Sequence, residues 1–249
     1  VFDSRRLGYR STLCGGYADT DRELYRYGEM VSQVAGVTHC YHRGWPPELN
    51  TELPGGPAGK PRLPELWFTL TAPVETFSRE MERMGQMLAP ARLLELPAVT
   101  RFKIDVVFDP GTRDRDERFP GAVARPGSAL PAAETAPAPD EIDRLIVRRL
   151  QGSVPVTADF FANVAADCGQ DVDELLQRLR RWTAMGRLRR IALVLRHRRF
   201  GFKANGMCLW DVVDRDVARV GRDLAAFPVV THCYERKRVQ GMPFNLFAM

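Results

Sequence analysis

Two heptads carry most of the chemistry legible in this chain. "VTHCYHR" runs from Val37 to Arg43, and "VTHCYER" from Val230 to Arg236. The chain holds four histidines, and two of them sit in these heptads. Side chains alternate along a strand, so His39, Tyr41 and Arg43 share one face while Thr38 and Cys40 take the other. His232, Tyr234 and Arg236 repeat that row. A guanidinium grips a carboxylate through paired N–H donors. An imidazole can act as a general acid near neutral pH, and a phenol can pack against a ligand or extend a proton path. The bland account of one such histidine is a hydrogen-bonded residue at a sheet edge. Retention of the whole row in two otherwise diverged copies tips the balance towards function. His39, His232, Tyr41 and Tyr234 are therefore the candidate catalytic residues, with Arg43 and Arg236 as carboxylate ligands. Cys40 and Cys233 face the other way, where a small buried hydrophobe belongs, and are read as core.

The heptads belong to a larger repeat. A shift of 193 (232 minus 39) aligns Val1–Arg43 with Val194–Arg236 without a gap, and fourteen of the 43 pairs are identical. This is an internal duplication. The first copy reads as a strand at Ser11–Ala18, a helix at Asp21–Val34 capped by Thr20 or Asp21, and a strand at Gly36–Arg43. A Pro/Gly-rich loop follows at Gly44–Glu65. Then come a strand at Leu66–Ala72, a helix at Val74–Leu88 and a fourth strand at Val99–Phe108. That order is βαββαβ, a ferredoxin-like unit. Paired arginines recur beside the Gly-aromatic turn of each copy, at Arg5, Arg6, Arg198 and Arg199. They are either a solvated wing end or a clamp for anionic groups.

Residues 110–139 are rich in Pro, Ala and charge and read as an extended linker. Beyond them, helices at Glu141–Gly152, Thr157–Gly169 and Asp171–Gly186 and a basic strand at Arg187–Arg196 form a winged helix-turn-helix. The expected division is a first ferredoxin-like domain over 1–109 with a wing remnant, a linker over 110–139, a winged helix-turn-helix over 140–196, and an incomplete second ferredoxin-like domain over 197–249. The overall class is α+β. Both copies are read as truncated, as in a piece of a longer tandem protein. Arg178, Arg180, Arg181, Arg187, Arg189 and Arg190 would suit phosphate contacts, but Asp171, Asp173 and Glu174 crowd the helix end that would enter a groove. DNA binding stays open and is not favoured.

Composition narrows the classes. The net charge of +5 and pI near 9.1 favour polyanionic partners, nucleic acid or a small polycarboxylate. No apolar run is long enough to span a bilayer, so no membrane role is expected. Five cysteines, odd in number and without a Cys-x-x-Cys pair, point to a reducing cytoplasm and give no zinc-ligand spacing, so no metal site is expected.

A winged helix followed by βαββαβ resembles the AsnC/Lrp regulators. Within that architecture "GYRSTLCGGY", "VTHCYHR", "GRLRRIALVLRHRRFGFKANGM" and "VTHCYERKRVQGMPFNLFAM" are similar to the siroheme decarboxylases, in a fused two-copy form. The resemblance covers essentially all the chain outside the Pro-rich linker. It implies a carboxy-lyase that removes two acetate carboxyl groups from siroheme without oxidation, giving 12,18-didecarboxysiroheme on the way to haem d1 or haem b. It implies no cofactor beyond the substrate, whose iron belongs to it. It also implies pairing of homologous domains, as a homo-oligomer or with a homologous subunit. A transcription regulator sensing a tetrapyrrole is the alternative from another class, and a haem-carrying module ligated by His39 or His232 is a third.

Overall fold

The computed structural model describes residues 2–43, 63–104, 138–151, 157–189, 191, 199 and 204–249. The Gly44–Glu65 loop (but for its last three residues), nearly all of the linker, most of the wing strand and Arg198 lie outside the described residues. The chain divides into two compact units. One joins Val1–Arg10 to Ala132–Val194, and the other joins Ser11–Pro131 to Leu195–Met249.

The first unit is helical. Its helices are α3 (Glu141–Gln151), α4 (Phe160–Asp167) and α5 (Val172–Ala184), and Asp171 caps α5 by accepting from the Asp173 backbone N–H at 2.8 Å. Ile146, Val164, Leu175, Leu179 and Trp182 build its core. The N-terminal residues close it. Phe2 bridges to Leu188 and lies edge-on to Trp182, and the Asp3 N–H donates to the Arg187 carbonyl at 2.8 Å. An ionic cluster lies beneath. Asp143, 5% exposed, accepts from Arg178 and, at 3.1 Å, from Arg187, which is 2% exposed.

The second unit contains both ferredoxin-like halves. In the first half, β1 (Tyr9–Gly16), β2 (Val37–His42), β3 (Leu66–Pro73) and β4 (Leu93–Leu96) form a sheet ordered β2-β3-β1-β4. Helices α1 (Asp21–Ser32) and α2 (Phe77–Leu88) cover one face through Leu24, Tyr27, Val31, Phe77, Met84 and Leu88. Thr20 is the α1 cap, accepting from the Glu23 N–H at 3.2 Å. The second half has β6 (Cys208–Trp210), α6 (Val217–Ala226), β7 (His232–Arg236) and β8 (Leu246–Ala248). Among the described residues, no helix is long and apolar enough to cross a membrane.

The expected fourth strand is displaced, and a strand absent from the sequence reading takes its place beside β1. Leu93–Leu96 is β4 and pairs with β1, whereas β5 (Ala98–Ile104) leaves that sheet and pairs antiparallel with β7, giving a second sheet ordered β5-β7-β8-β6. The break falls at Pro97, which has no N–H to donate to a ladder. Three features hold the crossed strand. Thr100 Oγ1 donates to Glu235 at 2.6 Å, and Lys103 Nζ donates to the Phe227 carbonyl at 2.8 Å. Phe102 lies over Gly221 of α6, where an added Cβ would come within 2.3 Å of the ring. The helix accepts a glycine there, at a cost of about 1 kcal/mol relative to alanine, because only a bare backbone admits the phenyl group.

Asp143→Ala removes the carboxylate that two arginines share, one of them fully buried. Breaking such a pair costs about 3–5 kcal/mol. The helical unit should therefore unfold at a lower denaturant midpoint by circular dichroism, and an unchanged midpoint would show that Asp140 replaces Asp143 without loss.

Candidate functional site

The helix-free faces of the two sheets share one apolar cluster. Trp67, Leu94, Leu96, Met242 and Phe247 are its buried members. Trp67 lies opposite Tyr41 in the β2–β3 ladder, and Phe247 lies opposite Tyr234 in the β7–β8 ladder. Directly opposed residues project to the same side of a sheet. Both His-Tyr-Arg rows therefore border this cluster, and Cys40 and Cys233 point the other way, into the helix-covered cores. Burial pushes the Cys233 thiol up to about 11 and raises that of Cys40, so neither is poised as a thiolate.

Each row sets its imidazole, phenol and guanidinium side by side along the strand, tilted in the first copy and stacked in the second. The His39 and Tyr41 rings lie 6.1 Å apart, and the Arg43 guanidinium sits 5.1 Å over Tyr41. In the second copy the His232 and Tyr234 rings lie 6.5 Å apart, and Arg236 sits 5.1 Å over Tyr234. The surroundings differ. His39 and Tyr41 are exposed, Tyr41 to 49%, whereas His232 and Tyr234 are half-buried, and Arg43 and Arg236 are both half-buried. The Arg236 guanidinium is sunk between the Tyr234 and Phe247 rings and donates to the Leu96 carbonyl at 2.6 Å. Its Nε is buried and meets no hydrogen-bond partner among the described residues. Desolvation pushes this guanidinium down to about 10, which leaves it charged at neutral pH, and partial burial lowers Arg43 in the same direction.

One participant escapes strand alternation. Thr38 Oγ1 lies 3.0 Å from His39 Nδ1, and Thr231 Oγ1 lies 2.9 Å from His232 Nδ1. The cause is a bulge in each copy. The β2–β3 register slips between Val37 and His39, which leaves Thr38 as an extra residue. In the second copy the N–H groups of Thr231 and His232 both point to the Met249 carbonyl, at 2.7 and 3.3 Å. A bulge re-aims side chains and breaks the period of two, so the threonine comes beside the imidazole rather than opposite it. Thr231 donates its own hydroxyl proton to the Met249 carbonyl at 3.0 Å, so its oxygen accepts from Nδ1–H of His232. Repetition of "TH" at the head of both strands was the available signal.

Two of the paired arginines, Arg5 and Arg6, lie in the helical unit. Arg6 donates to the Met185 carbonyl at 2.6 Å and braces the end of α5, and Arg5 lies in the same short 3-10 turn of the helical unit. Arg199 is exposed, and Arg198 lies outside the described residues. A separate cleft of about 430 Å³ is lined by Tyr17, Asp19, Glu23, Tyr27, Arg92 and Gly241. Its two carboxylates oppose a polyanionic ligand. In the helical unit, Arg178, Arg187 and Arg189 are held by Asp140, Asp143 and Asp3, which takes three of the six expected phosphate-binding arginines out of play.

Residues 6–103 and 199–249 match the AsnC-like ligand binding domain, so the class is that of a tandem AsnC-like protein. Over its whole length the chain is 32% identical to the siroheme decarboxylase of Hydrogenobacter thermophilus, spanning 67% of that protein. Over 46% of its length it is 42% identical to the siroheme decarboxylase NirH subunit of Stutzerimonas stutzeri, spanning 68% of that subunit. The crystal structure of the siroheme decarboxylase NirDL superposes on the entire chain with a TM-score of 0.67 at 27% identity, the chain spanning 64% of it. A second structure of that enzyme, in co-complex with an iron-uroporphyrin III analogue, superposes with a TM-score of 0.66. The chain belongs to the siroheme decarboxylase family.

Thr38→Val should lower turnover by roughly fivefold to tenfold, the worth of one hydrogen bond of about 1 kcal/mol, with KM little changed. Thr38→Ser should restore it. Equal losses in both variants would show that the methyl packing matters rather than the hydroxyl.

Proposed function

We propose that this chain removes the carboxyl groups of two acetate side chains of siroheme, giving 12,18-didecarboxysiroheme and two CO2. The observation that carries this reading is the His-Tyr-Arg row, built twice, with each copy bordering one apolar cluster between the sheets. The relatives' activity, and the iron-uroporphyrin analogue bound to one of them, support it.

Each step asks little of the protein beyond placement. Arg43 or Arg236 pairs with an acetate carboxylate. The aromatic surround of Trp67, Tyr41, Tyr234 and Phe247 strips water from it, which raises the energy of the localised carboxylate more than that of the charge-dispersed transition state. The bond between the methylene carbon and the carboxyl carbon breaks, CO2 leaves, and the electron pair passes into the conjugated pyrrole. His39 or His232 then delivers a proton to the methylene carbon, leaving a methyl group. Two acetates consume two protons and no oxidant. The iron is part of the substrate, and the reading uses no further cofactor. Thr38 and Thr231 are positioning residues that hold Nδ1 of each imidazole.

The same reading places the chain in the cytoplasm, which suits its five free cysteines, and pairs its AsnC-like halves with a homologous domain or subunit. The DNA-regulator reading is disfavoured by the internal pairing of Arg178, Arg187 and Arg189.

Anaerobic incubation of the chain with siroheme, followed by mass spectrometry, should show two successive losses of CO2. His39→Ala and His232→Ala should each slow a loss by about 10²-fold or more. Siroheme binding without any mass change would sink the decarboxylase reading in favour of a sensor or carrier.

A further inference from the structure

A neutral imidazole carries one proton, and the partner of one ring nitrogen fixes which nitrogen holds it. In both rows that partner is the threonine hydroxyl beside Nδ1, but the two hydroxyls are not equally committed. The Met249 carbonyl takes the Thr231 N–H at 2.7 Å and the Thr231 hydroxyl at 3.0 Å. A carbonyl has no proton to give, and a hydroxyl has one. Thr231 Oγ1 therefore meets His232 Nδ1, at 2.9 Å, only as an acceptor. Among the described residues the Thr38 hydroxyl has a single hydrogen-bond partner, His39 Nδ1 at 3.0 Å. Its proton can point at the ring or away from it.

The cause lies in how each strand opens. Trp67 faces Tyr41 and Phe247 faces Tyr234, so Thr69 is the counterpart of Met249, two residues further along. Thr69 pairs with His39, and the register slip leaves Thr38 without a partner in the ladder. In the second copy the Thr231 N–H and hydroxyl both close on Met249. The same Thr-His dipeptide thus sits in two different bulges.

We propose that Thr231 is a positioning residue that fixes the tautomer of His232, with its permanent proton on Nδ1 and proton gain and loss at Nε2, whereas His39 exchanges between both tautomers. The imidazolium of His232 donates from Nδ1 to Thr231, and the neutral ring left after proton transfer donates to it in the same way. No hydroxyl has to turn between the two states, so the hydrogen bond is preorganised for the transfer. His39 has a choice. Thr38 accepts from Nδ1–H or donates to a bare Nδ1, so either nitrogen can release the proton. The tautomer assignment stands on the geometry, while its bearing on catalysis rests on the decarboxylase reading. In that reading the Nε2–H bond of His232 breaks as the new C–H bond forms at the methylene carbon, and Nδ1 keeps its proton throughout.

The test uses the chain with isotope-labelled histidine nitrogens, without siroheme, at about pH 8, where an ordinary imidazole is neutral. Long-range proton–nitrogen NMR correlations then read which ring nitrogen is protonated. His39→Gln and His232→Gln assign two of the four histidines. His232 should show a protonated Nδ1 and a bare Nε2, and His39 an average of both tautomers. Thr231→Val keeps the β-branched shape and removes the hydroxyl. It should move His232 to the averaged pattern, and Thr231→Ser should return it, with circular dichroism unchanged in both variants. A bare Nδ1 in His232 of the parent chain would overturn the proposal. So would an Nδ1–H pattern that persists in Thr231→Val, or one that His39 shows equally. The readout needs no substrate, so it tests the tautomer whether or not siroheme is decarboxylated.

Discussion

The second unit depends on β5 crossing from one sheet to the other. Pro97 ends the ladder with β1, and the next seven residues become the outer strand of the second sheet. That crossing explains several otherwise separate facts. The Leu96 carbonyl, at the point of departure, is what the Arg236 guanidinium finds as an acceptor. The Lys237 N–H donates to the Pro97 carbonyl at 3.2 Å, locking the end of β7 against the crossover. Phe102 supplies the α6 core with its buried aromatic ring. Without the crossing, Arg236 would lose the Leu96 carbonyl and Gly221 would lose the Phe102 ring that lies over it.

The rows owe their geometry to an interruption rather than to regular structure. Strict alternation would put each threonine on the helix-covered face, away from the histidine it precedes. A single extra residue at each bulge turns it back. Each imidazole then has a hydroxyl of its neighbour in sequence beside Nδ1. The tyrosine occupies the middle of each row with the arginine over its ring, an arrangement in which cation–π attraction keeps the guanidinium extended along the strand.

Much of this was legible in the residues. The duplication, the helices and the co-facial rows follow from periodicity and from the repeat at a constant shift, and the structure sets His39, Tyr41 and Arg43 side by side as the period of two requires. Three things were not legible, each because it depends on contacts distant in sequence. The fourth strand was expected at Val99–Phe108, when Leu93–Leu96 takes that place beside β1 and Pro97 separates it from β5. The burial of Arg236 depends on β5, more than 130 residues away. The internal pairing of Arg178, Arg187 and Arg189 depends on Asp140, Asp143 and Asp3, none of which a basic patch in sequence brings to mind. The contact of each threonine with its histidine falls between these cases, local in sequence but hidden by the bulge.

Two copies of one row in unequal surroundings argue against two equivalent sites. Arg236 is a positive charge held among aromatic rings, with one backbone carbonyl as its hydrogen-bond acceptor. Burial among those rings, which replace water poorly, pushes its pKa down to about 10. An anionic group reaching that guanidinium would relieve its desolvation, so it attracts a carboxylate more strongly than an exposed arginine does. Arg43 follows the last residue of β2 and donates its backbone N–H to the Glu65 carbonyl at 2.9 Å. The near-identity of the heptads reflects common descent of the two halves, and one crossing strand gives them different surroundings.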